Sequence, residues 1–93
     1  MSHRTAIIED GAELGGGVEV GAFSYIESGA RIGDGCRIGP HVTVYRHVTL
    51  GSRCRVHAGA VLGDIPQDTG FKPAESFVHI GDDCIIREGV TVH

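Results

Sequence analysis

The sequence predicts an all-β fold in which a single chain winds into a parallel β-helix of six-residue repeats, with three repeats and three short strands in each coil. A branched aliphatic residue occurs at every sixth position from Ile8 to Leu62, and the same phase resumes at Ile80. A small or apolar residue precedes each of these by two positions, and alternate positions of a strand share a face. Both series therefore point into a common interior, which predicts one domain over residues 1–93 with about five coils.

The two inward series hold most of the large aliphatic side chains, because 18 of the 22 isoleucine, leucine and valine residues fall in them. No stretch shows the spacing of three and four that a helix requires. Each coil is expected to hydrogen-bond to the next, so that the aliphatic side chains form a continuous core. The main series consists of Ile8, Leu14, Val20, Ile26, Ile32, Ile38, Val44, Leu50, Val56, Leu62, Ile80, Ile86 and Val92.

Composition limits the possible functions. The chain has 93 residues, a net charge of -4 and arginines scattered along the sequence, which predicts no basic patch of the kind that binds nucleic acid. Three cysteines without paired spacing are typical of a reducing compartment. No long apolar segment suggests a signal peptide or a membrane span, so we expect a cytoplasmic protein.

Stacking of one coil on the next also predicts which outward side chains meet. Glu13 is expected beneath Arg31, and Glu19 beneath Arg37, as exposed ion pairs that contribute about 0 to 1 kcal/mol each.

A third outward column carries little charge. It is predicted to contain Ile7, Tyr25, Thr43, Val61 and His79. We expect this column to form a subunit contact or the floor beneath a long loop. The alternative is an exposed face with no binding role, since single apolar residues are common on protein surfaces.

All three cysteines occupy inward positions, which indicates structural packing. Cys36 and Cys54 are predicted one coil apart on the same face, about 4.8 Å between Cα atoms, so a disulfide is a geometric alternative. A catalytic thiol is disfavoured, because burial among aliphatic side chains raises the pKa of a thiol.

The aliphatic pattern is interrupted at residues 64–77, where Asp68 and Ala74 stand in place of core residues. We expect this segment to leave the coil as a loop while occupying the length of about one coil. Long loops on rigid scaffolds often carry binding groups, and the candidates here are Asp64, Gln67, Asp68, Lys72 and Glu75. The alternative is a surface excursion without function.

The six histidines do not predict a metal site within one subunit. His57 and His93 share a repeat position, and regular coils place them two coils and about 10 Å apart, too far to share one ion. His41 and His47 are expected on successive corners of the triangular coil. A zinc site shared between subunits of a trimer, similar to that of the β-helical carbonic anhydrases, is an alternative.

Several motifs carry a resemblance to a known family. The chain contains a Gln67-Asp68 pair within its loop, then Ile80-Gly81-Asp82, then Ile86-Arg87-Glu88, and ends with Val90-Thr91-Val92-His93. In this combination it resembles the UDP-N-acetylglucosamine O-acyltransferases of lipid A biosynthesis, over the whole chain but only over the N-terminal part of the family's length. The resemblance implies a left-handed helix, which the usual right-handed preference of parallel crossovers does not. It also implies a homotrimer.

Site residues follow from the same resemblance. Asp68 matches the family's loop aspartate that contacts substrate, and His93 matches a histidine lining the cleft between subunits. The family's loop lysine falls on Gly70, and Lys72 is the candidate to replace it from two positions away. With the adjacent Gln67, these residues form the expected substrate-binding set.

The resemblance further implies acyl carrier protein and a UDP-sugar as partners, with no cofactor. The family's general base is a histidine that removes the proton of the sugar hydroxyl before that oxygen attacks the acyl thioester. No residue of this chain matches that histidine, so no catalytic residue is assigned and the chain alone is expected to be inactive. The chain also stops within its last strand, without the cap that solenoids usually have, so we expect a fragment or a short homologue. A non-catalytic β-solenoid scaffold is the alternative from another functional class.

Overall fold

The computed structural model describes residues 2–63 and 78–87, together with the backbone of residues 91–92. All regular structure in these residues is short parallel strand. The strands are β1 (Ile7–Ile8), β2 (Glu13–Leu14), β3 (Glu19–Val20), β4 (Tyr25–Ile26), β5 (Arg31–Ile32), β6 (Arg37–Ile38), β7 (Thr43–Val44), β8 (Val48–Leu50), β9 (Arg55–Val56), β10 (Val61–Leu62), β11 (Val78–Ile80), β12 (Ile85–Ile86) and β13 (Thr91–Val92). In this part of the chain no helix is long and apolar enough to cross a membrane.

Successive strands lie in three different sheets, so the chain winds around three faces. Sheet I has the order β1-β4-β7-β10-β13, sheet II contains β2-β5-β8-β11, and sheet III contains β3-β6-β9-β12. The described strands make four coils and begin a fifth. The predicted left-handed parallel β-helix of hexapeptide repeats is therefore confirmed.

The interior consists of the two inward series. Ile26, Val44 and Leu62 stack in sheet I and are completely buried. Fully burying a large aliphatic side chain stabilises the fold by about 1.5 to 3 kcal/mol. Ser24 is the buried polar residue among the described positions, and its hydroxyl donates to the Gly39 carbonyl at 2.7 Å while accepting from the Val42 amide at 3.1 Å.

Adjacent coils are joined by backbone hydrogen bonds. The Tyr25 amide donates to the Val42 carbonyl at 2.8 Å, and the Thr43 amide donates to the Ala60 carbonyl at 3.1 Å. Coils approach so closely at some corners that only glycine fits. A Cβ on Gly33 would lie 2.6 Å from the backbone of Gly51, shorter than any allowed carbon contact.

The predicted ion pairs between coils are confirmed. Arg31 lies over Glu13, with Nε 2.8 Å from Oε2, and Arg37 lies over Glu19 at 3.3 Å. Both pairs are exposed, so each contributes little to stability.

The register after the interruption differs from the prediction. Stacked positions are 18 apart in the first coils, as Ser24 and Val42 are. Val61 pairs instead with Thr91, and Thr49 pairs with His79, each at a longer interval. This coil is therefore two hexapeptides longer than the others, whereas the prediction had the segment take the place of about one whole coil.

The inward positions stay the same after the longer interval, because whole repeats are added and every later aliphatic residue keeps its place in the six-residue period. The outward columns do change. The low-charge column contains Ile7, Tyr25, Thr43 and Val61 as predicted. The prediction that His79 also belongs to it was wrong, because His79 pairs with Thr49 in sheet II.

The same shift changes the predicted histidine spacing. Val56, which precedes His57, pairs with Ile86 in sheet III, whereas Val92 pairs with Leu62 in sheet I. His93 itself lies outside the described residues. Both histidines still follow an inward valine of the repeat, but these valines lie on different sheets, so the prediction that the two histidines are two coils apart on one face was wrong.

Removal of a core side chain tests the inward register. Ile26→Ala is expected to lower the free energy of unfolding by about 2 to 4 kcal/mol, because it leaves a cavity in the buried stack. The matched variant Ile85→Ala removes the same atoms from a side chain that is 58% exposed, so its effect should be below about 1 kcal/mol. Urea denaturation followed by circular dichroism measures both. Equal losses would contradict the assigned interior.

The longer stacking interval is tested by cross-linking. Thr49→Cys combined with His79→Cys should form a disulfide under mild oxidation, because neighbouring strands lie about 4.8 Å apart and disulfides span Cα separations of about 4.4 to 6.8 Å. The control pair, Val61→Cys with His79→Cys, represents the interval of the first coils and should remain reduced. Mass spectrometry of the two oxidised variants distinguishes the registers, and cross-linking of the control pair alone would refute the observed one.

Candidate functional site

The substrate-binding residues predicted from the sequence, Gln67, Asp68, Lys72 and His93, lie outside the described residues. So does the predicted loop at 64–77. The described strands nevertheless fix the points from which these residues extend. Strand β10 ends at Leu62, β11 begins at Val78, and Val92 pairs with Leu62. Both the loop candidates and His93 therefore follow chain positions at the corner between sheets I and II, which we call corner I/II.

Gly63 is the first residue of this corner, and its position requires glycine. Its φ is +89°, a value that L-residues with side chains rarely adopt. A Cβ at this position would also lie 2.9 Å from Val48 Cγ2 and 3.1 Å from Tyr45 Cβ. The chain thus turns out of β10 directly against the coil beneath it.

Tyr45, Arg46 and His47 occupy corner I/II one coil earlier. The Arg46 amide donates to Glu27 Oε1 at 2.9 Å, and Arg46 Nε lies 3.3 Å from His47 Nε2. The Val78 amide donates to the His47 carbonyl at 2.9 Å, which holds the start of β11 against this corner. These residues were not predicted to belong to the site, although Tyr45 precedes Gly63 by one regular coil.

The histidines do not assemble a metal site in the described part of the chain. His41 precedes β7 and His47 follows it, on separate corners as predicted. No group of three or more His, Cys, Asp or Glu residues within the described ranges could hold a metal ion.

The outer surface of sheet I is weakly charged and partly apolar, and we call it the apolar face, formed by Ile7, Tyr25, Thr43 and Val61. Ile7 is 60% exposed. At its border the rings of Phe23 and His41 stack with centroids 5.3 Å apart and an interplanar angle of 24°.

Glu9 and Tyr25 form a polar contact at the edge of the apolar face. The Ser28 amide donates to Glu9 Oε1 at 2.9 Å, and this bond, followed by that from the Tyr25 hydroxyl, lowers the pKa of Glu9 below its ordinary value. The same Tyr25–Glu9 hydrogen bond is the main cause that raises the pKa of Tyr25 to about 12. Both shifts favour the neutral phenol bound to the charged carboxylate.

The cysteines are inward as predicted, and they form a longer column than expected. Cys36 and Cys54 are buried free thiols, so the alternative of a disulfide between them is absent. Because Arg55 pairs with Ile85, Cys84 continues the same column. Cys36 Sγ donates to the Gly51 carbonyl at 3.0 Å, and Cys54 Sγ to the Gly81 carbonyl at 3.0 Å. Burial raises the pKa of the Cys54 thiol, which agrees with a packing role.

Comparisons with known proteins agree on one group. The family model described as bacterial transferase hexapeptide (six repeats) matches residues 11–46 and 29–64. The acyl-[acyl-carrier-protein]--UDP-N-acetylglucosamine O-acyltransferase of Chlorobaculum tepidum is 58% identical over 91 residues, 98% of this chain and 34% of that protein. The protein of the same name from Brucella anthropi is 48% identical over 98% of this chain and 33% of its own length.

A solved structure shows the same similarity. The UDP-N-acetylglucosamine acyltransferase from Campylobacter jejuni superimposes with a TM-score of 0.88 and 38% sequence identity, covering 99% of this chain and 35% of that chain. The chain thus spans about one third of the length of the proteins that it matches.

Breaking the Tyr25–Glu9 contact should change the titration of Glu9. Tyr25→Phe is expected to raise the pKa of Glu9 towards 4.5, while the remaining Ser28 amide keeps it below that value. In the unmodified chain the contact stabilises the fold above pH 4.5, and this contribution is lost as the pH falls through the lowered pKa. The carboxyl carbon resonance of Glu9 during an NMR titration measures the shift. Tyr45→Phe is the control, and an equal shift in both variants would contradict the contact.

Proposed function

The chain belongs to the bacterial transferase hexapeptide family, and from this premise we propose that it forms the N-terminal β-helix portion of a UDP-N-acetylglucosamine O-acyltransferase that takes its acyl group from acyl carrier protein in lipid A biosynthesis. The 58% identity that extends over 98% of the chain is the observation that carries this proposal. Hexapeptide repeats alone are common to many transferases, whereas identity at this level includes outward and corner residues that the repeat does not dictate.

The geometry of corner I/II supports the proposal. Leu62, Val78 and Val92 bracket the positions from which Asp68 and His93 extend, so both can act at one site. In the proposed site Asp68 and Gln67 bind the sugar nucleotide, Lys72 contacts its phosphates, and His93 lines the cleft. Tyr45 lies beneath this corner and contributes a rigid base to it.

The proposed reaction is transfer of an acyl chain from a thioester to a sugar hydroxyl. A general base takes the hydroxyl proton as the oxygen attacks the thioester carbonyl, an ester bond forms, the carbon–sulfur bond breaks, and the thiol leaves with a proton. No residue from 1 to 93 is assigned as that base. We propose that a histidine outside this stretch supplies it, and that residues 1–93 alone do not catalyse transfer.

We further propose that the protein is a cytoplasmic homotrimer whose subunits meet at the apolar face. Ile7 on the apolar face is 60% exposed, and Phe23 at its border is 62% exposed. Contact between copies would bury these side chains.

An acyl-transfer assay tests the proposed function. The expected result is product formation from UDP-N-acetylglucosamine and an acyl carrier protein thioester by the protein extended to its natural end, and none by residues 1–93. In the extended protein, Asp68→Asn should lower kcat/KM by about 10- to 100-fold, the loss typical of one hydrogen bond to a charged group. Mass spectrometry of the product and the initial rate are the measurements.

The control for Asp68→Asn is Asp10→Asn, which makes the same replacement at an exposed corner of the first coil and should leave the rate unchanged. Transfer by residues 1–93 alone would show that the base lies within them. Absence of transfer by the extended protein with every acyl chain length tried would refute the proposed activity.

A further inference from the structure

At corner I/II, each of the first two coils uses a glutamate to bind the backbone of the coil above it. Glu9 directly follows β1, and its Oε1 accepts from the Ser28 amide at 2.9 Å. Glu27 follows β4 in the same way, and its Oε1 accepts from the Arg46 amide at 2.9 Å. In both cases the amide belongs to the second residue after an inward aliphatic. The carboxylate therefore holds the next coil to the regular path around the corner.

The corner between sheets II and III uses aspartates for the same purpose. Asp34 Oδ1 accepts from the Gly16 amide at 2.9 Å, and Asp82 Oδ1 accepts from the Ser52 amide at 2.8 Å. Here too each amide is the second after an inward aliphatic, although the carboxylate lies in the coil above instead of the coil below. A bond from this amide to a carboxylate of the adjacent coil is thus a recurring feature of the regular coils.

Tyr45 occupies the position of these glutamates in the third coil. It directly follows β7, as Glu27 follows β4, and it is half-buried. Its backbone keeps the regular contact between coils, since its amide donates to the Leu62 carbonyl at 3.0 Å. Its side chain, however, has no carboxylate. Position 45 therefore offers no carboxylate to the corner above it, where the chain continues from β10 towards residues 64–77.

The backbone departs from the regular corner at this same place. Gly63 has φ +89° and is the first residue after an inward aliphatic, whereas every other positive φ among the described residues occurs at the third. Gly63 lies directly over Tyr45, because a Cβ on it would lie 3.1 Å from Tyr45 Cβ and 3.7 Å from Cδ2 of the ring. By count along the repeat, the amide that a glutamate at position 45 would bind is that of Asp64. A carboxylate here would therefore draw the chain back to the regular path one residue after the departure.

We propose that Tyr45 is a positioning residue of the substrate site, which acts by omitting the carboxylate that holds the chain at the other corners. The segment after Gly63 then leaves the stack on the path that presents Gln67 and Asp68 to the UDP-sugar. This inference rests on the proposed function, in which those two residues bind the sugar nucleotide, and it assigns a role to a residue that does not touch the substrate. The fold accepts glutamate at this position in the two coils beneath, so tyrosine serves the site and not the helix.

Tyr45→Glu in the protein extended to its natural end tests the inference. The new carboxylate should accept from the Asp64 amide, so hydrogen exchange of this amide should slow about tenfold. The KM for UDP-N-acetylglucosamine should rise about tenfold while kcat changes less than about twofold, because the displaced segment weakens binding of the sugar nucleotide and leaves the chemical step intact. The melting temperature should not fall, since the variant adds a corner bond that the fold uses elsewhere. Hydrogen exchange followed by mass spectrometry, initial rates and thermal denaturation are the measurements.

Three further variants serve as controls. Tyr45→Gln places an uncharged acceptor at the same reach, so both effects should appear at about threefold, as expected of a weaker hydrogen bond. Tyr45→Phe is the conservative variant; it adds no acceptor, so Asp64 exchange and KM should stay within about twofold of the unmodified protein. Thr49→Glu adds the same charge to the same coil on the outer surface of sheet II, and it should change neither quantity.

The outcomes separate this inference from the proposed function. A higher KM without slower exchange at Asp64 would refute the inference, because negative charge alone would then account for the loss. Equal rises in KM for Tyr45→Phe and Tyr45→Glu would also refute it, since the phenol itself would then be required. Unchanged Asp64 exchange in Tyr45→Glu overturns the inference even where acyl transfer is normal, whereas absence of transfer by the unmodified extended protein overturns the proposed function.

Discussion

Vertical stacking of coils is the constraint on which every other feature of this chain depends. A strand of two residues has no independent stability, and each one here is held by amides that donate to carbonyls of the adjacent coil, as Tyr25 does to Val42. The same stacking buries the inward side chains, because Val44 is covered by Ile26 on one side and Leu62 on the other. Hydrogen bonding and burial thus require the same alignment, so a coil that slipped sideways would lose both together.

Corners show how this alignment tolerates unfavourable backbone angles. The third position after each inward aliphatic usually has positive φ, and glycine fills it at Gly29 with φ +97°. Phe23, His41, Arg53 and Asp83 adopt the same region with φ between 56° and 59°, which is costly for residues with side chains. These four occur as two stacked couples, one joined by ring packing and the other by a two-bond ion pair. Contacts between neighbouring coils offset part of the strain.

The six-residue period contained enough information to predict the strands, the interior and the first ion pairs. It could not predict the register beyond Leu62, because the three faces of a coil have the same inward requirement and the period does not distinguish them. Only outward residues distinguish the faces, as Arg53 does when it meets Asp83 across the longer interval. The pairing of Arg55 with Ile85 was not predicted for that reason. Asp68 and His93 were proposed as site residues from resemblance alone, since single polar residues outside the repeat have no pattern to locate them.

At the corner after β10 the chain is longer without any change in which later side chains point inward. Elsewhere in the chain, length and side-chain orientation are linked. Within a strand, adding one residue would turn every following side chain inside out. At a corner the chain leaves and rejoins the stack at adjacent points, and the entropy of closing such an excursion grows only slowly with its length. Evolution can therefore lengthen or rewrite this connection without compensating changes in the interior. Substitutions in this connection can therefore alter the proposed substrate site while the scaffold remains unchanged.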